Sequence, residues 1–273
     1  MTSTTLTPTI AVDRPQRSAL GWAVADTKTV AWRNLVTLRR LPQLLVFATV
    51  QPVIFVLMFR YVFGGAITVP GFPYVDYLMP GVFAQTVAFG AIQTGIGLAE
   101  DLHKGLIERF RSLPMARSAV LAGRTLADLV RNVFVVLLML AIGYLVGFRI
   151  HTNVLGLIAG MGVMLLFGFS LTWIFAIIGL STSNAETAQA ASFPILAPLV
   201  FASSAFVPVA SMPGWLQAFA KNQPVSIAID AVRSLVLGGQ FADTGKVLLS
   251  LAWSIGIIAV FAPLAVRRYR RAA

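Results

Sequence analysis

Six long apolar stretches constrain this chain more than any other feature of its sequence. A membrane-crossing helix needs about 20 consecutive apolar residues, and each of the six stretches is about that long. The composition agrees, because 58% of the residues are hydrophobic and only 11% are charged. We therefore predict an all-α polytopic membrane protein. Its six transmembrane helices are predicted over about residues 44–63, 77–98, 126–148, 154–180, 189–210 and 245–266.

Lysine and arginine are distributed unevenly among the connecting segments. Six of the 21 precede the first span, six lie from Lys104 to Arg131, and four close the chain. With six spans, these three segments fall on the same side, and an excess of basic residues marks the cytosolic side. The sequence therefore predicts a multi-pass protein of the cytoplasmic (inner) membrane with both termini in the cytosol. Because the basic residues flank apolar segments, the net charge of +11 does not indicate nucleic-acid binding.

The segment before the first span has two parts. Residues 1–20 are polar and lack the apolar core of a signal peptide, so we interpret them as a disordered cytosolic tail. Residues 21–41 carry an apolar stripe at helical spacing, which predicts an interfacial helix along the membrane surface. A cytosolic extension of the first span is the alternative. The stripe consists of Trp22, Ala25, Thr29, Trp32 and Val36.

Residues that could carry chemistry or couple ions are scarce. The chain has no cysteine and only two histidines, far apart in sequence, so no metal site is predicted. The nearest approach to a phosphate-binding loop, residues 239–247, has the wrong spacing. The charges near span ends are Arg60 and the trio Arg124, Asp128 and Arg131, which are spaced to pair on one helix. We therefore predict no catalysis in this chain and an external energy source for any active transport.

A dense group of charged residues separates the second and third spans. Apolar side chains within it recur at the spacing of one helix face, and Pro114 ends the pattern. This predicts a short amphipathic helix over about residues 100–113 that docks on a cytosolic partner. A solvated loop is the alternative that the spacing leaves open. The apolar face consists of Leu102, Leu106, Phe110 and Leu113.

Three motifs lie in or between the predicted spans. The first is the charged block, with Lys104-Gly105, Glu108-Arg109, Arg111-Ser112-Leu113-Pro114 and Arg117. The second runs from Met212 through Trp215 and Phe219 to Asn222-Gln223-Pro224, followed by Arg233 and Gly238-Gly239. The third, Tyr77 to Gly81 followed by Gln85-Thr86, opens the second span. Together these motifs resemble the ABC-2 type transporter permeases, specifically the daunorubicin/doxorubicin-resistance permease family.

The resemblance extends from about residue 28 to the end and implies half of a transporter. Two permease chains, here a homodimer, would form the path, and two copies of a separate cytosolic ABC ATPase subunit would bind below them. ATP and Mg would act on that ATPase, with no cofactor in this chain. The implied activity is export of amphipathic drugs, antibiotics or lipid-like molecules across the membrane. The one departure lies at residues 221–224, where the family usually has Asn and Pro adjacent or nearly so.

The resemblance also implies roles for particular segments and residues. Residues 21–41 would be the connecting helix, and the charged block would be a coupling helix seated in a groove of the ATPase. Residues 211–240, polar and interrupted by proline, fit an outer re-entrant hairpin. The coupling residues would be Glu100, Lys104, Gly105, Leu106, Glu108, Arg109, Phe110, Arg111, Ser112, Leu113 and Pro114. Spans two and five line the path in related transporters, so the substrate-facing candidates are Gln85, Phe89, Gln93, Phe193, Phe201, Ser204 and Phe206.

Two other functions are compatible with the sequence. An ion-coupled secondary drug or lipid carrier would transport in vesicles without ATP, but it would need a coupling carboxylate at mid-membrane. A membrane scaffold that only recruits a cytosolic protein would show no transport with the ATPase present. Glycines at short spacing in spans two and four indicate close helix packing, although glycine is also common in membrane helices.

Overall fold

The computed structural model describes residues 25–33, 36, 42–105 and 117–272. Every regular element in these ranges is helical, as the sequence predicts. Helix α1 covers residues 25–33, and single 3-10 turns lie at Val209–Ser211 and Gly239–Phe241. The remaining helices are α2 (Pro42–Leu57), α3 (Tyr74–His103), α4 (Arg117–Leu145), α5 (Val154–Gly179), α6 (Ala185–Phe201), α7 (Gly214–Asn222), α8 (Pro224–Val236) and α9 (Thr244–Ala272).

Four helices in the described residues are long and apolar enough to cross a membrane. They are segments of α3, α4, α5 and α9, and α5 agrees within one residue with its predicted span. Helix α2 continues as a π-helix over Met58–Phe63 and belongs to the shorter apolar helices. Helix α6 has 17 residues. The structure thus supports a polytopic membrane protein, and six crossings remain our proposal.

The predicted fifth span, residues 189–210, is wrong at its C-terminal end. Helix α6 ends at Phe201, and residues 202–207 form irregular turns. The hydroxyl of Ser203 donates to the Val200 carbonyl at 2.5 Å, and the Ala205 amide donates to that hydroxyl at 3.1 Å. Such local side-chain bonds compete with the helical pattern, and Pro208 disfavours a helical residue before it. Hydrophobicity continues past Phe201, but the helix does not.

Helix α3 lies at the centre of the bundle, where it packs against α4, α5 and α6. In its most apolar window 78% of the residues are buried, compared with 17% for α9, which packs mainly on α5 and α8. We call the end of the bundle that carries α7 and α8 the hairpin end. We call the opposite end, where α3 and α9 finish, the arginine end. The most buried helix therefore connects the two ends of the molecule.

The predicted N-terminal and re-entrant segments are described only in part. The tail, residues 1–20, lies outside the described residues, and 25–33 and 36 are the described part of the interfacial helix. Val30 and Ala31 of α1 are buried, and Val30 contacts the backbone position of Gly123 in α4. Trp32 is 69% exposed, as a membrane-facing stripe requires. Residues 211–240, the predicted outer re-entrant hairpin, contain α7 and α8, which follow each other at Pro224, and their re-entrant placement stays a prediction.

Helices α3 and α5 touch through two glycines near the arginine end. A Cβ added at Gly179 would lie 2.1 Å from the Gly95 carbonyl oxygen, and one added at Gly95 would lie 2.4 Å from the Phe175 carbonyl oxygen. Both distances are too short for any side chain. Small residues allow such close approach of membrane helices, which gain packing energy from it.

We expect Gly179→Ala to destabilise the protein by about 1–2 kcal/mol, because the new methyl group forces α3 and α5 apart. Thermal unfolding of the purified protein in detergent measures the effect. Gly162→Ala is the matched control in the same helix, since nothing lies within 4 Å of its added Cβ. Equal unfolding temperatures for the two variants would contradict the close contact.

Candidate functional site

The start of the charged block forms the end of α3 and not a separate helix. Glu100 belongs to the last turn of α3, which ends at His103. The Lys104 amide donates to the Glu100 carbonyl, and Gly105 adopts a φ of 65°. Such a φ strongly favours glycine and stops an α-helix. The predicted continuous helix from Glu100 is therefore interrupted at Gly105.

The exposed end of α3 carries one ion pair. The Lys104 ammonium donates to the Glu100 carboxylate at 2.6 Å, and both side chains are exposed. The hydrogen bond to Glu100 raises the pKa of Lys104. The other predicted coupling residues, Leu106, Glu108, Arg109, Phe110, Arg111, Ser112, Leu113 and Pro114, lie outside the described residues.

A network of charged residues joins α3 to α4 just above this end. Arg124 of α4 forms an ion pair with Asp101 of α3. One turn further, the Thr94 hydroxyl donates to Asp128 at 2.6 Å, and Arg131 pairs with Asp128 at 3.3 Å. Arg131 also donates to the Gly90 carbonyl of α3 at 2.7 Å. These bonds hold two neighbouring helices together on both sides of the loop that contains the charged block.

The sequence predicted only part of this network. The pairing of Asp128 with Arg131 within one helix is confirmed. Arg124 does not pair with Asp128 in its own helix, because Asp101 from α3 takes it instead. Contacts between helices leave no periodic signal in the sequence, so the partners Asp101 and Thr94 were missed.

The predicted substrate-facing residues divide between two regions. Gln85, Phe89 and Gln93 follow one face of α3, and the Phe89 ring lies 6.0 Å from the Phe193 ring of α6. Gln85 is buried, and neither of its amide atoms has a hydrogen-bond partner in the described part of the chain. Gln93 is exposed. Phe89 and Phe193 therefore form a seam between α3 and α6, and Gln85 and Gln93 lie one turn away from Phe89 on either side along α3.

The second region is a cluster of phenylalanines at the hairpin end. Phe206 is buried and stacks on Phe59 of the π-helix at 4.5 Å between ring centroids. Phe201 of α6 stacks on Phe206 at 5.7 Å and is 46% exposed. Five rings form this phenylalanine cluster: Phe55, Phe59, Phe63, Phe201 and Phe206. Sequence reasoning found the last two but missed the first three, although their spacing of four residues was visible.

Ser204 belongs to a buried polar network around Arg233. The Arg233 side chain is 1% exposed and lies 3.5 Å from the centroid of the Tyr77 ring. Its guanidinium donates to the carbonyls of Tyr77 at 2.9 Å and Ser204 at 2.6 Å, and it pairs with Asp230 at 3.2 Å. The Ser204 hydroxyl donates to the same carboxylate at 2.9 Å. A single arginine of α8 thus joins α3 to the irregular segment after α6.

Other side chains also donate to carbonyls in that segment and in the last turn of α6. The Tyr77 hydroxyl donates to the carbonyl of Ser204 at 3.1 Å, and the Tyr74 hydroxyl donates to that of Phe206 at 2.7 Å. Gln223 donates to the Leu199 carbonyl at 2.8 Å. Non-helical backbone at membrane depth is tolerated only where its polar groups are satisfied by protein or water. These hydrogen bonds therefore hold the irregular segment after α6 in place as part of the fold.

These features define a polytopic membrane protein whose buried central helix, α3, runs from the polar network around Arg233 to the start of the charged block. The sequence pattern of the ABC-2 type transporter family matches residues 25–237. The chain belongs to this family, and its role is that of a membrane permease in an ABC transporter.

Similar proteins carry the same designation. The chain is 41% identical over 256 residues to the daunorubicin resistance ABC transporter permease protein DrrB1 of Streptomyces coeruleorubidus, covering 93% of this chain and 89% of the relative. It is 31% identical over 233 residues to a probable doxorubicin resistance ABC transporter permease protein, DrrC, of Mycobacterium tuberculosis H37Rv, covering 82% and 81%. A putative transport permease, ycf38, of Pyropia yezoensis is 24% identical over 238 residues, or 84% of this chain and 80% of the relative.

Proposed function

We propose that this chain is the transmembrane half of an exporter that moves amphipathic drugs, antibiotics or lipid-like molecules out across the cytoplasmic membrane. Energy comes from ATP and Mg bound by a separate cytosolic ATPase. Two copies of the chain and two copies of the ATPase form the working unit. Both termini, and with them the arginine end, face the cytosol. The printed names of the drug-resistance relatives support this substrate class.

The observation that carries the proposal is the course of α3. This helix lies against α6 at the seam of Phe89 and Phe193 and ends directly at the charged loop. A partner that binds the loop therefore moves the helix that borders the seam. The links from Asp101 to Arg124 and from Thr94 to Asp128 make α4 move with α3. This arrangement fits coupling between an external ATPase and a path along α3.

The seam and the phenylalanine cluster suit apolar substrates with a few polar groups. Ligand sites are mostly apolar, with a small number of polar groups that fix orientation. Phe193 and Phe201 are 50% and 46% exposed, so one chain offers a wall and not a closed channel. A second copy of the chain closes the path in our proposal. The Gln85 amide supplies a polar group beside this wall.

The ion-coupled carrier is less consistent with the charges of the described residues. Asp128 is a buried carboxylate in an apolar helix, which is the kind of group that proton carriers use. However, Arg131 pairs with it and Thr94 donates to it. Both partners fit a structural role for Asp128, which links α3 to α4. Transport by proteoliposomes without ATP but with a proton gradient would favour the carrier.

We expect Glu108→Ala and Arg111→Ala each to lower copurification of the ATPase about tenfold, because both residues lie in the charged loop. Membrane insertion should be unchanged. The measurement is affinity purification of the permease with its ATPase, followed by ATP hydrolysis with doxorubicin as the probe substrate. Lys221→Ala is the control, since this exposed lysine of α7 lies at the hairpin end. Normal association and normal drug-stimulated hydrolysis in both loop variants would refute the coupling role.

A further inference from the structure

The last turn of α9 presents four arginines on one side and buried residues on the other. Arg267, Arg268, Arg270 and Arg271 are all exposed, whereas Tyr269 is 3% exposed and Ala265 is fully buried. At 3.6 residues per turn, the four arginines occupy an arc of about 160°, and Tyr269 lies opposite its middle. We call these four residues the arginine arc.

Tyr269 fixes the direction of the arc. Its side chain packs in a cluster with Leu98 of α3 and Leu121 of α4. The helix therefore cannot rotate about its axis without exposing this ring. The arginine arc accordingly points away from the bundle, in one defined direction.

The arc continues the apolar surface of α9. Leu264 and Val260, one and two turns before it, are 44% and 55% exposed and lie within the same angular range. An exposed apolar stripe on a membrane helix faces hydrocarbon. The arginines begin about 4.5 Å beyond Leu264 along the axis. They therefore lie at the level of the lipid headgroups, in line with the acyl chains that cover the stripe.

The four guanidinium groups have no anionic partner among the residues that the structure describes. None forms an ion pair with any residue in the described ranges, although α3 places Asp101 near Tyr269. Asp101 is instead paired with Arg124. Guanidinium groups match the geometry of phosphate oxygens, with two parallel N–H donors for each phosphate. An array of this kind at headgroup level is complementary to phosphate-bearing anionic lipids.

We propose that the arginine arc binds the headgroups of anionic phospholipids, such as phosphatidylglycerol, in the leaflet at the arginine end. A protein partner is the weaker candidate, because the arc is collinear with a lipid-facing stripe. The binding itself does not depend on the proposed export function. Only the assignment of the cytosolic leaflet rests on the topology proposed with that function.

The test uses the purified full-length chain in a neutral detergent. Phosphatidylglycerol or phosphatidylcholine is added in mixed micelles, bound lipids are counted by native mass spectrometry, and the unfolding temperature is measured. We expect phosphatidylglycerol to bind at least tenfold more tightly than phosphatidylcholine and to raise the unfolding temperature. The preference should fall as salt is increased, because headgroup attraction is screened.

Variants of the arc separate lipid binding from general effects. The fourfold change R267Q/R268Q/R270Q/R271Q should abolish the preference for phosphatidylglycerol, and the corresponding fourfold Arg→Lys variant should keep most of it. K221Q/K246Q removes the exposed Lys221 and the half-buried Lys246 at the hairpin end and should bind like the wild type. If the Gln variant does not fold, the salt dependence and the Lys variant still decide the question.

Several results would overturn the proposal. A wild-type protein with no preference for phosphatidylglycerol would do so, as would an undiminished preference in the folded Gln variant. Equal loss in the Lys and Gln variants would also contradict it, because charge attraction to phosphate survives in the Lys variant. If the Gln variant keeps its lipid preference but loses the ATPase, the arc is a protein contact. A wild-type protein that prefers phosphatidylglycerol but shows no ATP-driven drug transport would contradict only the proposed function.

Discussion

Arg233→Leu is expected to destabilise the protein by about 3–5 kcal/mol and to abolish transport. The change leaves the carbonyls of Tyr77 and Ser204 without their shared donor and leaves the Asp230 carboxylate without its cation. Buried polar groups that lose a partner each cost about 1–3 kcal/mol, and more where a charge is involved. Thermal unfolding in detergent and drug transport in proteoliposomes measure the two effects.

The conservative variant Arg233→Lys makes this prediction specific. Lysine keeps the positive charge but has one ammonium group, which cannot donate in the plane of a guanidinium to carbonyls of two segments. We therefore expect Arg233→Lys to destabilise the protein nearly as much as Arg233→Leu. Lys221→Met, an exposed cation at the same end, should change little. An Arg233→Lys protein as stable as the wild type would mean that charge alone matters at this position.

Phe206→Ala is expected to lower stability by about 2–3 kcal/mol and to reduce drug transport at least tenfold. Phe206 is 4% exposed and stacks on Phe59 and Phe201, so its removal leaves a cavity between α2 and the segment after α6. In a membrane the transfer of the ring to lipid costs little, and lost packing supplies most of the penalty. Unfolding temperatures and transport rates test the two parts.

A lipid-facing phenylalanine provides the matched control. Phe134 of α4 is 50% exposed, so Phe134→Ala removes the same atoms without opening a buried cavity. We expect its stability and transport to remain near those of the wild type. Transport by Phe206→Ala at the wild-type rate would separate the phenylalanine cluster from the proposed path. A stability loss as large in Phe134→Ala would contradict the packing role of Phe206.

The sequence predicted the helical class and most helix positions well. Helix α5 was located within one residue because its apolar run ends abruptly at both ends. The pairing of Asp128 with Arg131 was also accessible, since it lies within one helix. Both features depend only on the length of an apolar run or on the spacing of two charges, which can be read directly from the sequence.

Features that depend on contacts between distant residues were not predictable in the same way. The end of α6 at Phe201 is stable because Arg233 and Tyr77 satisfy the carbonyls that follow it. Arg233 was counted among the basic residues outside the spans, although the structure buries it. The spacing of Phe55 and Phe59 was visible in the sequence, but their contacts with Phe206 were not. The coupling helix beyond Gly105 stays a prediction.

The length of α3 has a mechanical consequence. Its 30 residues span about 45 Å, with the Tyr77 carbonyl held by Arg233 near one end and the start of the charged block, Glu100 to Gly105, at the other. With the Arg233 end as fulcrum, a tilt of about 5° displaces the loop end by about 4 Å. Because α3 is long, a very small rotation about its Arg233 end accompanies a large sideways displacement of the end that a domain outside the membrane would contact. Loss of the Arg233 contact would therefore weaken the transmission of this movement, even in a protein whose charged block still binds its partner normally.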